Sequence, residues 1–218
     1  MPDYTAARRN MVDSQIRTNR VTDEALLAAM GDIPRELFVP SDLAGVAYLD
    51  DDLPLGGGRY LMEPMVFARM LQFAAIRPSD VVLDIGCAAG YSSAVAARLA
   101  ATVIALESDS ALARKAGTNF ATLQIDNAVV VEGPLRVGCP RHAPYDVILI
   151  EGAVPEIPPV ITAQLAEGGR LCAIMSAPGM AGHAVLALKT GGVVSHRDVF
   201  DAASPLLPEF ELQPGFRF

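Results

Sequence analysis

The chain has 218 residues, 51% hydrophobic and 19% charged, the balance of a folded domain with a sizeable core rather than of a disordered chain. A formal charge of −8 disfavours a surface built to grip phosphate backbones, so no nucleic-acid partner is expected. Cys87, Cys139 and Cys172 form no CxxC pair and the three histidines are scattered, which argues against a disulfide framework and against a metal site.

The opening MPDYTAARRN is polar rather than a basic-then-apolar leader. Asp84 and Arg98 interrupt the longest candidate for a membrane span of about 20 apolar residues, so a soluble cytoplasmic protein is expected. Residues 5 to 40 read as helices and turns. In VTDEALLAAM, Thr22 is a candidate N-cap, with Asp23 and Glu24 in the first turn where the helix dipole favours acids, and Pro34 closes the segment. Residues 41 to 64 form a long irregular stretch, of a length usually kept for function. Its Tyr48, Leu53, Leu55, Tyr60, Leu61 and Met62 call for burial.

A helix is predicted from Met65 to Ile76, and then strands and helices alternate. VVLDI (81 to 85), TVIAL (102 to 106), AVVVE (128 to 132), DVILI (146 to 150) and RLCAIM (170 to 175) read as strands, followed by two more near 184 to 189 and 193 to 200. YSSAVAARLA, ALARKAGTNFATL and PVITAQLA read as the helices between them. Continuous apolar strands separated by helices mean a mostly parallel sheet covered on both faces. One α/β domain over 1–218 is expected: a helical and loop extension (1–76) on a Rossmann-like, doubly wound core (77–218). The C-terminal SPLLPEFELQPGFRF is aromatic enough to pair as an edge strand or meet a partner.

In such a sheet, ligands bind beyond the carboxyl ends of the strands, at the switch point. The first strand-to-helix turn is VVLDIGCAAGYSS. A dinucleotide turn needs glycines at 86, 88 and 91, but 88 is alanine and 91 is tyrosine; a nicotinamide dehydrogenase is therefore disfavoured. The glycines fall instead at Gly86 and Gly90, with small Cys87 and Ala88 between them. That spacing suits a ligand with no pyrophosphate to place, such as S-adenosylmethionine. Glu107, followed by Ser108, stands about 20 residues on, where an acid accepts from ribose hydroxyls.

With these motifs, RRNMVDSQI (8 to 16), IPRELFVP (33 to 40), AYLDDDLPLGGGR (47 to 59), VLDIGCAAGYSSA (82 to 94), APYDVILIEGA (143 to 153) and QLAEGGRL (164 to 171), the chain resembles the protein-L-isoaspartate O-methyltransferase family of S-adenosylmethionine-dependent enzymes. The resemblance implies about seven strands with the last antiparallel. It also implies methyl transfer to the carboxylate of isomerised aspartate in damaged proteins, a repair reaction. The cofactor would lie on Asp84, Gly86, Cys87, Ala88, Gly90, Glu107 and Ser108, with Gly133, Pro134 and Leu135 beside the adenine. The acceptor would meet Leu55, Gly56, Arg59, Leu61, Met62 and Glu63.

Three positions depart from the family pattern. GRYLMEP stands where the family usually has GQTISQP, so Met62 replaces a serine and cannot donate a hydroxyl hydrogen bond. GPL stands where GDG is usual, so Pro134 offers no side-chain acceptor. Glu151 stands where a small residue or threonine is usual. An acceptor carboxylate about 4 Å from Glu63 would meet on the order of 4 kcal/mol of repulsion at an effective dielectric near 20, which Arg59 could offset. No general base is needed for a carboxylate acceptor, ionised at neutral pH. An amine or hydroxyl acceptor would want one, and Glu63 and Glu151 are the catalytic candidates. The alternatives to isoaspartyl methylation are a different small-molecule or protein acceptor, or a cofactor-binding relative without catalysis.

Overall fold

The computed structural model of the chain describes residues 3–176 and 181–210. Helix α1 (Tyr4–Asn10) runs into a π-helical segment, Met11–Ile16, and α2 (Glu24–Asp32) follows. The N-cap of α2 is Asp23, not Thr22: its carboxylate accepts from the Ala25 and Leu26 amides, at 2.9 and 3.1 Å. An ionised cap also meets the positive end of the helix dipole, which a threonine cannot do. The stretch expected to be irregular contains a hairpin, β1 (Leu53–Gly56) and β2 (Arg59–Leu61), turning through Gly57 and Gly58. Tyr48, Leu53, Leu61 and Met62 are buried as expected, Leu55 is half-buried, and Tyr60 is exposed. Helix α3 (Pro64–Ala74) starts on Pro64, whose missing N–H costs nothing in a first turn.

Seven strands form the main sheet: β3 (Val81–Ile85), β4 (Thr102–Glu107), β5 (Ala128–Glu132), β6 (Tyr145–Val154), β7 (Leu165–Met175), β8 (His183–Thr190) and β9 (Val193–Asp201). Their spatial order is β5-β4-β3-β6-β7-β8-β9. The pairings from β5 to β7 are parallel and the last two antiparallel, so the antiparallel character falls at the C-terminal edge as expected. Helices α4 (Tyr91–Ala97) and α5 (Ser110–Thr122) fill the crossovers, but α6 is one turn, Pro159–Thr162. The longer helix expected here stops because Gln164 satisfies local backbone with its side chain. It donates to the Val137 and Val160 carbonyls and accepts from the Cys139 amide, while Leu165 enters β7 opposite Tyr145.

Side chains alternate across the sheet. Val82, Val103, Val147, Leu149 and Ile174 face a layer made by the N-terminal extension, α3, α4 and α5. Leu83, Ile85, Leu106, Ile148, Ile150 and Leu171 face the opposite layer. There α6, Leu135, Cys139, Leu207 and Phe210 supply the cover. The extension therefore shares one core with the sheet. Of the aromatic C-terminal stretch, Leu206 makes a single parallel bridge to Ala153, and 211–218 lie outside the described residues.

Candidate active site at the switch point

Strand register builds the site. β3 pairs with β4 on one side and β6 on the other, and this is where the strand order reverses. Ile85 lies opposite both Leu106 and Ile150. The next residues, Gly86, Glu107 and Glu151, therefore come level on three adjacent strands: Gly86 just past the end of β3, Glu107 as the last residue of β4, and Glu151 within β6, which runs on to Val154. Glu132, opposite Glu107, brings Gly133 to the same rim, where its amide donates to the Glu107 carbonyl at 3.0 Å.

The turn after β3 is held by backbone bonds. The Gly86 and Cys87 amides donate to the Leu106 carbonyl, and the Gly90 amide donates to the Cys87 carbonyl. Asn119 of α5 donates to the Ala89 carbonyl at 2.9 Å. Gly90 has φ +93°, and a Cβ there would stand 2.7 Å from the Phe120 ring. The close helix–strand approach thus depends on Gly90. Tyr91, which stands where a dinucleotide turn has its third glycine, turns into the helical layer against Phe38 and Phe67.

Asp84 is fully buried, and one carboxylate oxygen accepts from the Ser92 and Ser93 hydroxyls. Burial pushes its carboxyl up to about 6, the two serines opposing the shift. The other oxygen, Oδ1, has no partner. Across the turn, Glu151 has a buried and unpartnered Oε1, and burial, reinforced by the charge on Asp84, raises its carboxyl well above the ordinary value. Two buried carboxyl oxygens without donors form a wall that suits a cationic ligand.

Glu107 is also fully buried, but it is satisfied: its carboxylate accepts from the Ala88, Ser108 and Asp109 amides, at 2.7 to 2.9 Å. It also pairs with the guanidinium of Arg59, which reaches in from β2 and is itself buried. The guanidinium lies 3.4 Å from where a Gly86 Cβ would be, and the Leu207 side chain stands at a similar distance. Glu209 accepts from the Leu135 amide at 2.9 Å. Side chains of the hairpin and of the C-terminal segment therefore sit on the groups expected to hold the cofactor.

Two cavities flank this arrangement. One, about 340 Å³, lies among Gly57, Arg59, Ser108, Asp109, Pro208 and Glu209. The other, about 10 Å³, is walled by Leu55, Leu61, Met62, Gly86, Cys87, Ala88, Ser92 and Glu151, among others. Of the expected site residues, Gly56, Glu63, Asp84, Gly90, Glu107, Gly133, Pro134 and Leu135 line neither. Gly56 belongs to the hairpin, and Gly133 and Pro134 sit at the rim. Leu135 turns its side chain into the core beneath the sheet, leaving its amide to face the site. The Glu63 amide donates to Asp52, and burial together with Asp50, Asp52 and Asp51 pushes the Glu63 carboxyl up to about 7. All three cysteines are buried, including Cys87 and Cys139, which the sequence places in loops.

Sequence reasoning missed four contributors. Ser92 and Ser93 follow the turn directly and were open to the reading that Asp84 needs donors. Arg35, inside IPRELFVP, is fully buried and donates to the Ala47 and Met62 carbonyls, with its guanidinium 4.9 Å from the Tyr91 ring centre. It anchors both ends of the acceptor-side loop. Glu209 carries no motif and lies far along the chain.

The donor set fits S-adenosylmethionine: an acid at the end of β4, a tight turn after β3, and two buried carboxyl oxygens without donors beside it for a ligand with two cationic groups. Comparisons agree. The model of the family described as Protein-L-isoaspartate(D-aspartate) O-methyltransferase (PCMT) matches residues 6–202. A protein-L-isoaspartate O-methyltransferase of Methanoregula boonei is 43% identical over 164 residues, 75% of this chain and 76% of that protein. One of Methylorubrum extorquens is 39% identical over 202 residues, 93% and 86% of the two chains. A solved protein-L-isoaspartate O-methyltransferase superposes with a TM-score of 0.79 at 25% identity, over 92% of this chain and 65% of that one. A Plasmodium falciparum chain assigned to the same activity, solved with S-adenosyl-L-homocysteine, shares the fold at a TM-score of 0.79 and 18% identity, over 96% of this chain and all of that one. With its switch-point turn, its strand-end acids and this match along most of its length, the chain belongs to the protein-L-isoaspartate O-methyltransferase family of S-adenosylmethionine-dependent enzymes.

Proposed function

We propose that the chain works as one methyltransferase domain in the cytoplasm, methylating the side-chain carboxylate of isoaspartyl residues in proteins and peptides. The observation that carries the assignment to particular residues is the level placement of Gly86, Glu107 and Glu151 at the switch point. Among the described residues no helix is long and apolar enough to cross a membrane.

When bound, S-adenosylmethionine would supply a methyl group on a sulfonium sulfur, for transfer to an acceptor carboxylate oxygen with a neutral thioether as the leaving group. No proton need move, because the acceptor is ionised at neutral pH. The protein's task is positioning and exclusion of water. Glu107 would hold the ribose hydroxyls. Asp84 Oδ1 and Glu151 Oε1 would accept from the ammonium. The turn from Gly86 to Gly90 would let the ligand approach the backbone, while Ser108 and the Leu135 amide would border the adenine, with Gly133 and Pro134 shaping the rim. Leu55, Leu61, Met62 and Glu63 would bound the acceptor, on a loop that Arg35 fixes through the Met62 carbonyl.

A second reading rests on Glu63. With its carboxyl near 7, it is poised as a general base for an amine or hydroxyl acceptor. Radiolabelled methyl transfer to an isoaspartyl peptide, beside its aspartyl twin, separates the readings. Base-labile label on the isoaspartyl peptide alone is expected. Base-stable label on another acceptor would favour the second reading. No transfer to any acceptor by protein that binds the cofactor would favour a non-catalytic relative.

A further inference from the structure

We infer that Arg59 exchanges partners during the catalytic cycle: Glu107 holds it in the free protein, the cofactor's ribose displaces it, and the released guanidinium recognises the acceptor carboxylate. The inference deepens the isoaspartyl reading and its second half rests on that reading. Arg59 and Glu107 form a buried ion pair, and the Arg59 Nε has no hydrogen-bond partner. The acid that the ribose hydroxyls would use is therefore already engaged by the chain's own cation. Three amides and Arg59 already occupy the Glu107 carboxylate, about four acceptor positions in all, so a ribose diol needs one of them vacated, and the guanidinium, carried by a side chain and not by the backbone of the turns, is the one free to leave.

Where it moves is constrained by charge. The acceptor side is acidic: Asp50, Asp51 and Asp52 surround Glu63, and Glu151 closes the inner wall. A carboxylate acceptor brought into that setting needs a cation. Arg35 is committed to the Ala47 and Met62 carbonyls. Among the described residues lining the two cavities, Arg59 is the only cation. It stands against Gly86, which walls the inner cavity, and it belongs to the hairpin that leads directly into Leu61, Met62 and Glu63. A guanidinium fork also matches a carboxylate in two-point geometry, which a lysine or glutamine does not. The arrangement makes binding ordered, with the acceptor site gaining its cation only after the cofactor is in place.

The test has a binding arm and a kinetic arm. Calorimetry with S-adenosylhomocysteine reads the competition on Glu107 regardless of acceptor. R59Q, checked for folding by circular dichroism, is expected to bind it about tenfold more tightly than the parent, since nothing must be displaced. Unchanged or weaker binding would overturn the displacement. For the acceptor, R59Q is expected to raise the KM for an isoaspartyl peptide about tenfold or more, with a smaller change in kcat, and R59K to recover part of the loss. An unchanged KM would overturn the recognition step. Should R59Q not fold, the parent alone decides: the peptide is expected to bind only when S-adenosylhomocysteine is present, and equal affinity without it would refute the exchange. A parent that transfers no methyl to the isoaspartyl peptide would refute the isoaspartyl reading and leave the calorimetric result on Glu107 intact.

Discussion

Gly90→Ala tests whether one hydrogen atom in place of a methyl sets the cofactor turn against α5. Gly90 has φ +93°, and an added Cβ would stand 2.7 and 2.9 Å from two Phe120 ring carbons and 3.0 Å from the Ala116 Cβ. Two costs add: about 1–2 kcal/mol for a side chain in the left-handed region, and about 1–3 kcal/mol for overpacking against a ring that cannot retreat. The less flexible unfolded chain returns about 0.4–1 kcal/mol. The net loss is about 1–5 kcal/mol, and at about 2–4 °C per kcal/mol for a chain of this size the melting temperature should fall by roughly 2–18 °C. Gly168 provides the control, because it has φ +76° and nothing within 4 Å of an added Cβ. Gly168→Ala carries only the conformational part, and should lower the melting temperature by no more than about 6 °C. Thermal denaturation of both variants beside the parent gives the comparison. Equal losses would refute the packing argument, and a Gly90→Ala protein as stable as the parent would refute the close approach itself.

Arg170 donates to the Ala74 and Ala75 carbonyls and to Asp80, tying the end of α3 to the sheet; Arg170→Ala should cost about 3 kcal/mol in urea unfolding, as buried pairs do when one partner is removed. The three cysteines are buried, and burial pushes Cys87 and Cys172 up, the latter to about 12, so a thiol reagent should label none in the native protein and all three in denaturant. Glu63 is raised from 4.5 to about 7, so the folded form binds the extra proton; its favourable contribution is complete below about 4.5 and is lost as pH rises through 7. Glu63→Gln should therefore raise the urea midpoint relative to the parent at pH 8 and leave it unchanged near pH 4.5, and a pH-independent difference would contradict the shift. A cationic ligand beside Asp84 and Glu151 favours their ionised forms, so cofactor binding at pH 6.5 should release protons. Calorimetry in two buffers of different ionisation enthalpy would show this, with more released by the sulfonium cofactor than by its uncharged thioether product.

The core of the fold was legible because its signals are local. Apolar runs such as VVLDI and AVVVE begin and end in the sequence where the strands do, since a run of branched apolar residues suits a strand both in the sheet's interior, as in β3, and at its edge, as in β5. Glu107 was legible for a related reason: the last residue of a parallel strand is where a side chain first reaches the rim. The hairpin at 53 to 61 was not legible, because its strands are only four and three residues long and are stabilised by packing on distant helices rather than by their own alternation. The short α6 was not legible either, since the side chain at its end, Gln164, bonds the Val137 carbonyl and the Cys139 amide of a distant segment as well as the Val160 carbonyl of α6 itself.

The site shows the same division in a sharper form. Residue type and spacing put Asp84, Gly86 and Gly90 at one turn and Glu107 at the end of the next strand, and the Glu107 carboxylate does accept from the Ala88 amide of that turn. What spacing could not express is which of these groups is already satisfied. Glu107 and Asp84 look alike in sequence: each is an acid at or next to the end of an apolar strand. Yet Glu107 has a guanidinium and three amides, whereas Asp84 keeps one oxygen without any donor. The guanidinium comes from 48 residues away and the cover over Gly86 from Leu207. A ligand entering this site therefore meets two kinds of acid. One must be taken from a partner, and the other has been left waiting for a charge. The first sets the cost of opening the site, the second rewards a cation, and together they favour a ligand that carries a diol at one end and positive charge at the other.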